Sequence, residues 1–210
     1  MNIEAMKLDP SDGAGSPIHI RQVCGEGERA QALAIVTYGF IRDPIARWVW
    51  PTADAYKRYM PAFVEAFSGR ALEHGTADLT SCGGAAACWL PPGVSPDEDA
   101  VMAVLEQSVP ESRSAEMDDF FLQMASFHPT EPCWYLPQIA ADPACQGQGL
   151  GSALLAHRLR LIDAAGAPAY LESSNPGNIA LYRRHGFEII GTIQSGSSPS
   201  MYPMLREGRR

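Results

Sequence analysis

The chain has 210 residues, 46% of them hydrophobic and 19% charged, with 16 basic and 24 acidic side chains giving a net charge of −8. Such a composition excludes a disordered chain, and the length is enough to bury a full core without metal or disulfide staples. The acidic balance argues against nucleic acid or an anionic membrane as a partner. Residues 1–17 read as a flexible arm, and residues 18–24 alternate as a first strand. Residues 26–41 place Ala30, Leu33, Ala34, Val36 and Tyr38 on one helical face, stopped by Asp43 and Pro44. Trp48 to Pro51 reads as a short aromatic connector. Residues 53–74 form a long helix capped by Gly75, with Pro61 either near its start or marking a break. A hairpin turns at Gly83 and Gly84, between strands at 78–82 and 85–90. Helices follow at 95–108 and 111–127, the first opened by Asp97, Glu98 and Asp99, the second closed by His128 and Pro129. An apolar strand at 134–141 then leads through a glycine-rich turn into a helix at 150–165. A short strand at 169–173, a helix at 178–185 with Asn178 as its N-cap, and strands at 187–194 and 201–206 complete the chain. Strands and helices mixed in this order predict one α/β (α+β) domain over residues 18–206.

The five cysteines are odd in number and lack C-x-x-C spacing, which predicts free thiols in a reducing compartment and no zinc or other metal site. Neither a signal peptide nor a stretch near the ~18 apolar residues of a membrane span is visible. The expectation is a cytoplasmic protein that engages no membrane.

The most informative segment runs from Pro137 to Ser152, where a strand enters a glycine-dense turn that opens a helix. Glycines permit left-handed backbone and close approach, and the free amides of a first helical turn attract an anion such as phosphate. A dinucleotide fingerprint fails here: counted from Gly147 its third glycine falls on Ser152, and counted from Gly149 on Leu154. A P-loop fails for want of a lysine. The spacing present is Q-x-x-G-x-G, at Gln146, Gly149 and Gly151. Downstream, Asn178 and Tyr182 lie one helical turn apart on one face, ahead of Gly186 and Phe187. Taken singly, Tyr182 reads as an aromatic packed under the sheet; only beside Asn178 at a strand end does it read as a ligand contact.

Together these two clusters resemble the GNAT-type N-acetyltransferase superfamily over residues 131–194. The stretches at 131–136, 146–153 and 168–174 also look like the branch containing puromycin N-acetyltransferase, with weaker support from Phe40-Ile41-Arg42-Asp43-Pro44. The resemblance implies a mixed, mostly antiparallel sheet of about seven strands, splayed between the fourth and fifth. It implies an acceptor-side half at 18–130 and an acetyl-coenzyme A half at 131–206. The coenzyme pyrophosphate would lie on Gln146, Gly147, Gln148, Gly149, Leu150, Gly151 and Ser152. Its pantetheine arm would pair with Ile139, Ala140 and Ala141 and touch Asn178, and Tyr182 would protonate the leaving thiolate. Pro137 falls inside the strand that should be central, which requires its nitrogen to face a gap.

The activity implied is an acyltransferase moving acetyl from acetyl-coenzyme A directly to a primary amine of a small molecule. The protein would be a monomer or homodimer. An enzyme acting on protein or peptide amines, or a non-catalytic acyl-coenzyme A regulator, are the alternatives. Glu172, at a strand end, reads either as the general base or as a tie for a turn. His128 reads as a base or as a helix C-cap, and a water chain could replace both. Phe40, Trp48, Phe121 and His128 are the candidate acceptor-binding residues, although aromatic residues at helical spacing also read as plain core. Glu116, Asp118 and Asp119 could attract an ammonium or form a solvated face.

Overall fold

Strand β3 (Ala85–Leu90) sends Ala86, Cys88 and Leu90 to one side and Ala85, Ala87 and Trp89 to the other, and all six are buried. A strand buried on both faces needs a layer on each side, and that demand organises the molecule. The computed structural model describes residues 17–208; the arm expected at 1–17 lies outside the described residues except for Pro17, which is exposed.

The remaining strands are β1 (Ile20–Gln22), β2 (Ala77–Thr80), β4 (Trp134–Ala141), β5 (Ala169–Ser173), β6 (Glu188–Ile189) and β7 (Tyr202–Arg206). They form one seven-stranded sheet in the order β1-β2-β3-β4-β5-β7-β6, antiparallel throughout except for the parallel pair β4–β5. One face carries α1 (Gly25–Gly39), α2 (Pro44–Val49), α3 (Ala53–Glu73), α4 (Glu98–Ser108) and α5 (Ser114–Phe127), which share one core with Cys88, Leu90 and Tyr135. The other face carries α6 (Leu150–Ala164) and α7 (Ile179–Arg184), whose Leu154, Leu155, Ile162 and Tyr182 pack with Trp89, Leu136 and Phe187. This is a single α/β domain with a mixed sheet between helical layers.

Four expectations are corrected. The segment read as an aromatic connector is helix α2: Asp43 accepts from the Ala46 amide at 3.0 Å and Pro44 occupies the first turn, so this Asp-Pro pair ends one helix and starts another. The helix expected from residue 95 starts at Glu98, because Asp97 caps it through the Ala100 amide. Asn178 makes no capping bond; Asn175 accepts from the Gly177 amide instead, in a 3-10 turn over Pro176–Asn178 that precedes α7. The strand expected at 187–194 is paired only at Glu188–Ile189, with one further bridge from Ile193 to Met201. Between them the chain is drawn over α5, where the Gln123 side chain bonds the backbone of Gln194 in both directions and Gly191 lies against the Phe127 ring.

Helix α3 runs unbroken through Pro61, which faces solvent while Tyr56, Met60, Val64 and Ser68, at four-residue spacing, are buried. The cost of an interior proline, ~3 kcal/mol, is outweighed by burial of that stripe.

Pro137 has a different solution. Cys88 pairs with Gln138 and Leu90 with Tyr135, so β4 carries an extra residue at a bulge beside Pro137. The bulge reverses the alternation: Tyr135, Gln138 and Ala140 face the α1–α5 layer, whereas Leu136 and Ile139 face α6.

Candidate active site

Beyond β4 the chain makes a 3-10 turn at Pro143–Cys145, fixed by Asp142, whose side chain accepts from the Ala144 amide. Gly147 and Gly149 follow with φ of 77° and 79°, a left-handed backbone that suits glycine, and a β-carbon at either would meet nothing within 4 Å. The Ala153 amide bonds the Gly149 carbonyl at 3.0 Å, which leaves the amides of Leu150, Gly151 and Ser152 without intrahelical acceptors. No side chain caps this helix start. An open, positively polarised cradle of amides results, suited to a phosphate oxygen. Beside it Ser152 Oγ lies 2.8 Å from His185 Nε2; burial, then Arg184 and Arg206, push the imidazole pKa below its usual value.

The neighbouring strands separate next to this cradle. β4 pairs with β5 only at Trp134↔Ala169 and Tyr135↔Tyr170, yet stays paired with β3 as far as Ala141. Ile139, Ala140 and Ala141 therefore present one free backbone edge. Gly39, at the end of α1, fits against this segment only because it lacks a side chain: a β-carbon there would stand 2.5 Å from that of Ala140. The gap opens into a cleft of about 780 Å³ that runs from the glycine turn, past Asn178 and Tyr182, to an apolar end lined by Trp50, Phe63, Phe67, Met117 and Phe120.

Tyr182, Glu172 and Asp43 are among the titratable side chains that border the cleft. Tyr182, presented by α7 and packed against Phe187, is buried, and burial raises its pKa, so its hydroxyl keeps its proton at neutral pH. Glu172, on β5, accepts a 2.8 Å hydrogen bond from the Tyr135 hydroxyl across the sheet, and the Tyr170 hydroxyl faces it without hydrogen-bond geometry. Burial pushes its pKa up to about 7 against the opposing pull of both tyrosines. Asp43 is held by the Ala46 amide and by Ser174 Oγ at 2.5 Å, and burial raises its pKa as well.

Of the residues expected to hold a coenzyme, all but Gln148 line this cleft; the Gln148 side chain turns back to the Ala144 carbonyl. Glu172, Phe40 and Phe121 line it too. Trp48 stands behind the wall, its ring 5.4 Å from that of Phe120 and its N–H donating to Ser197 Oγ. His128 is the C-cap residue of α5, outside the cleft, with its ring 5.2 Å from Tyr135 and 4.9 Å from Tyr170. Glu116, Asp118 and Asp119 do not line the cleft; Glu116 accepts from the Ser197 amide and faces Arg113. A second carboxylate on the cleft is Asp43, which sequence reasoning did not name as a site residue. Its signal was present, since Asp followed by Pro is also a helix-start pattern.

Residues 88–187 match the profile described as Acetyltransferase (GNAT) family. Over that segment the chain is similar to a GNAT acetyltransferase domain. The matched segment begins on β3 and ends just after α7, so it holds the β4–β5 splay, the glycine cradle and Tyr182. Solved structures share the fold. One described as histone acetyltransferase HPA2 and related acetyltransferase, from Corynebacterium glutamicum, is 21% identical with a TM-score of 0.67, covering 92% of this chain and 97% of that one. A polyamine N-acetyltransferase from Drosophila melanogaster is 16% identical with a TM-score of 0.53, covering 91% and 100%. An agmatine N-acetyltransferase is 15% identical with a TM-score of 0.55, covering 90% and 99%. Among the described residues no helix is long and apolar enough to cross a membrane, and no group of three or more His, Cys, Asp or Glu side chains is placed to hold a metal ion.

Proposed function

We propose that the protein is an acetyl-coenzyme A-dependent N-acetyltransferase acting on the primary amine of a small molecule within a ternary complex. One observation carries this reading: a single cleft joins the glycine cradle, the free edge of β4 and an apolar chamber, with Tyr182 and Glu172 on its walls. The residues present suit the coenzyme. The unobstructed Gly147 and Gly149 and the free amides of Leu150 to Ser152 match a pyrophosphate, and the open edge at Ile139 to Ala141 matches the amides of a pantetheine arm. When bound, acetyl-coenzyme A supplies the acetyl group as an activated thioester.

The side chains divide the remaining work. Glu172, with a pKa near neutrality, takes the proton that an ammonium must lose before its nitrogen can attack. The backbone around Ala140 donates to the carbonyl oxygen as charge builds there. The Tyr182 hydroxyl gives its proton to the departing sulfur, and regains one from the second proton that the new amide nitrogen sheds. The end of the cleft not assigned to the coenzyme is a chamber lined by Trp50, Phe63, Phe67, Met117 and Phe120, which favours a small acceptor over a peptide. Solved neighbours described as agmatine and polyamine N-acetyltransferases are consistent with an amine acceptor. The segment from Phe40 to Pro44 lines the cleft in part, in keeping with kinship to the puromycin N-acetyltransferase-like branch.

The test is calorimetric titration with acetyl-coenzyme A of the wild type, Gly149→Glu and Tyr182→Phe, followed by an amine screen read by mass spectrometry. Micromolar binding by the wild type, lost in Gly149→Glu and kept in Tyr182→Phe with slowed turnover, is expected. Absence of wild-type binding near millimolar coenzyme would refute the reading.

A further inference from the structure

Two carboxylates border the cleft, and the reaction proposed above uses only Glu172. Asp43 is 8% exposed, caps α2 through the Ala46 amide, and accepts from Ser174 Oγ, on the segment leaving β5. The second bond therefore spans the cleft from the acceptor-side layer to the sheet. Neither capping nor tethering requires a charge, since asparagine would serve both without the desolvation cost of a buried carboxylate. Among the described residues no cationic side chain forms an ion pair with Asp43, and the nearby Arg47 is turned to the Pro51 carbonyl. Asp43 lines the same cleft as Tyr182. On the other side of Asp43 the wall is apolar, with Trp50, Phe63, Phe67, Met117, Phe120 and Phe121.

Asp43 is a buried carboxylate with no ion-pair partner among the described residues, in a cleft that also carries Arg42 and Arg184 and has an aromatic end; a carboxylate beside an aromatic wall is complementary to an amphiphilic cation. We propose that Asp43 and Ser174 form the ammonium-holding end of the acceptor site, and that the acceptor is a primary amine with an aromatic or bulky apolar tail. This deepens the transferase reading and rests on it. Asp43 accepts from the Ala46 amide and Ser174 Oγ, with the Ile45 amide also favouring its charged form, and a carboxylate's roughly four lone-pair sites leave room for an ammonium N–H. The Ser174 hydroxyl is spent on Asp43, so its oxygen remains an acceptor. The tail enters the chamber between α3 and α5, where Phe63 and Phe67 stack with centroids 5.2 Å apart. The ammonium is thus docked in its abundant charged form and gives up its proton to Glu172 only at the site.

The experiment compares the full chain with Asp43→Asn and Ser174→Ala, using 2-phenylethylamine and ethanolamine as acceptors and thiol release as the readout. Acetyl-coenzyme A affinity and thermal unfolding are followed in parallel. In the wild type 2-phenylethylamine is favoured over ethanolamine in kcat/KM by at least about tenfold, the worth of a buried aromatic ring. Asp43→Asn raises KM for 2-phenylethylamine by about 10–100-fold, the scale of a lost charge-assisted hydrogen bond, while coenzyme affinity and unfolding temperature stay put. Ser174→Ala moves KM in the same direction by less. Equal use of both amines, or an unchanged KM in Asp43→Asn, overturns this proposal and leaves the transferase reading standing. A lowered unfolding temperature with equal losses on both amines marks Asp43 as a structural tie and also overturns it. A wild type that binds no acetyl-coenzyme A removes both readings together.

Discussion

Glu172 sits under opposing influences whose balance decides its chemistry. Burial disfavours its charge, the Tyr135 hydroxyl at 2.8 Å favours it, and the pKa settles at about 7. A general base must be ionised, so kcat/KM is expected to fall tenfold per unit as pH drops below about 7. A primary alkylamine titrates near ~10, so an acid limb near neutrality belongs to the enzyme. Glu172→Gln should abolish that limb along with most activity. Tyr135→Phe should move the limb upward, because the bond removed favours the carboxylate. A pH–rate profile of the three proteins checks both statements, and an unmoved limb in Glu172→Gln would assign the base elsewhere. The same shift bears on stability: the folded state binds this proton more tightly than the unfolded chain. The stabilising contribution is therefore complete below the ordinary carboxylate range and is lost as pH rises through about 7.

Helix α6 does two things at once: its first turn forms the anion cradle, and its body anchors that turn to the sheet. Leu154, Leu155 and Ile162 are fully buried against the sheet. Arg158 makes a bidentate pair with Asp78 of β2, at 2.9 and 2.6 Å, with both groups buried. Burial raises the Asp78 pKa even with its partner in place. Arg158→Met would leave that carboxylate uncompensated and is expected to cost roughly 3–5 kcal/mol in denaturant unfolding. Adding Asp78→Leu should restore most of the loss, since apolar replacement of a whole buried pair is often neutral. A single variant as stable as wild type would mean that the aliphatic contacts alone position α6.

At the scale of the whole molecule, the proposed function depends on an incompletely paired sheet. β4 is bound along its length by β3 but by β5 only at its first two positions. The resulting wedge is flanked by the α1–α5 layer on one side and by α6 and α7 on the other, so a ligand inserted there contacts both cores. Acetyl-coenzyme A binding is expected to protect amides of residues 136–141 and 146–152 from hydrogen exchange, with little change in the already paired β2 and β3. Exchange measured by mass spectrometry with and without coenzyme checks this. Protection confined to 146–152 would mean that the arm does not lie along β4.

Local signals made much of this legible in the sequence. Glycines at 147 and 149 permit a backbone that few other residues adopt, and a strand on one side with a helix on the other sets the direction of the free amides. The hydrophobic period made the long helices readable, and the hairpin at Gly83 and Gly84 likewise. Short elements were harder, because α2 and the 3-10 turn before α7 are held by single capping contacts that compete with several local alternatives. The strand expected at 187–194 was interrupted by Gln123 and Phe127, which lie more than sixty residues away in the chain. Pro137 could be placed only through the register against β3, which is a property of two strands. The pairing of Glu172 with Tyr135, and of Asp43 with Ser174, joins residues 37 and 131 positions apart. The sequence by itself determined the glycine turn and the order of the long helices and main strands, because those follow from backbone freedom and periodicity within a few residues. Which carboxylates border the cleft, and how burial sets their charge, was decided only by the tertiary structure, because desolvation and pairing arise from neighbours that the fold alone brings together.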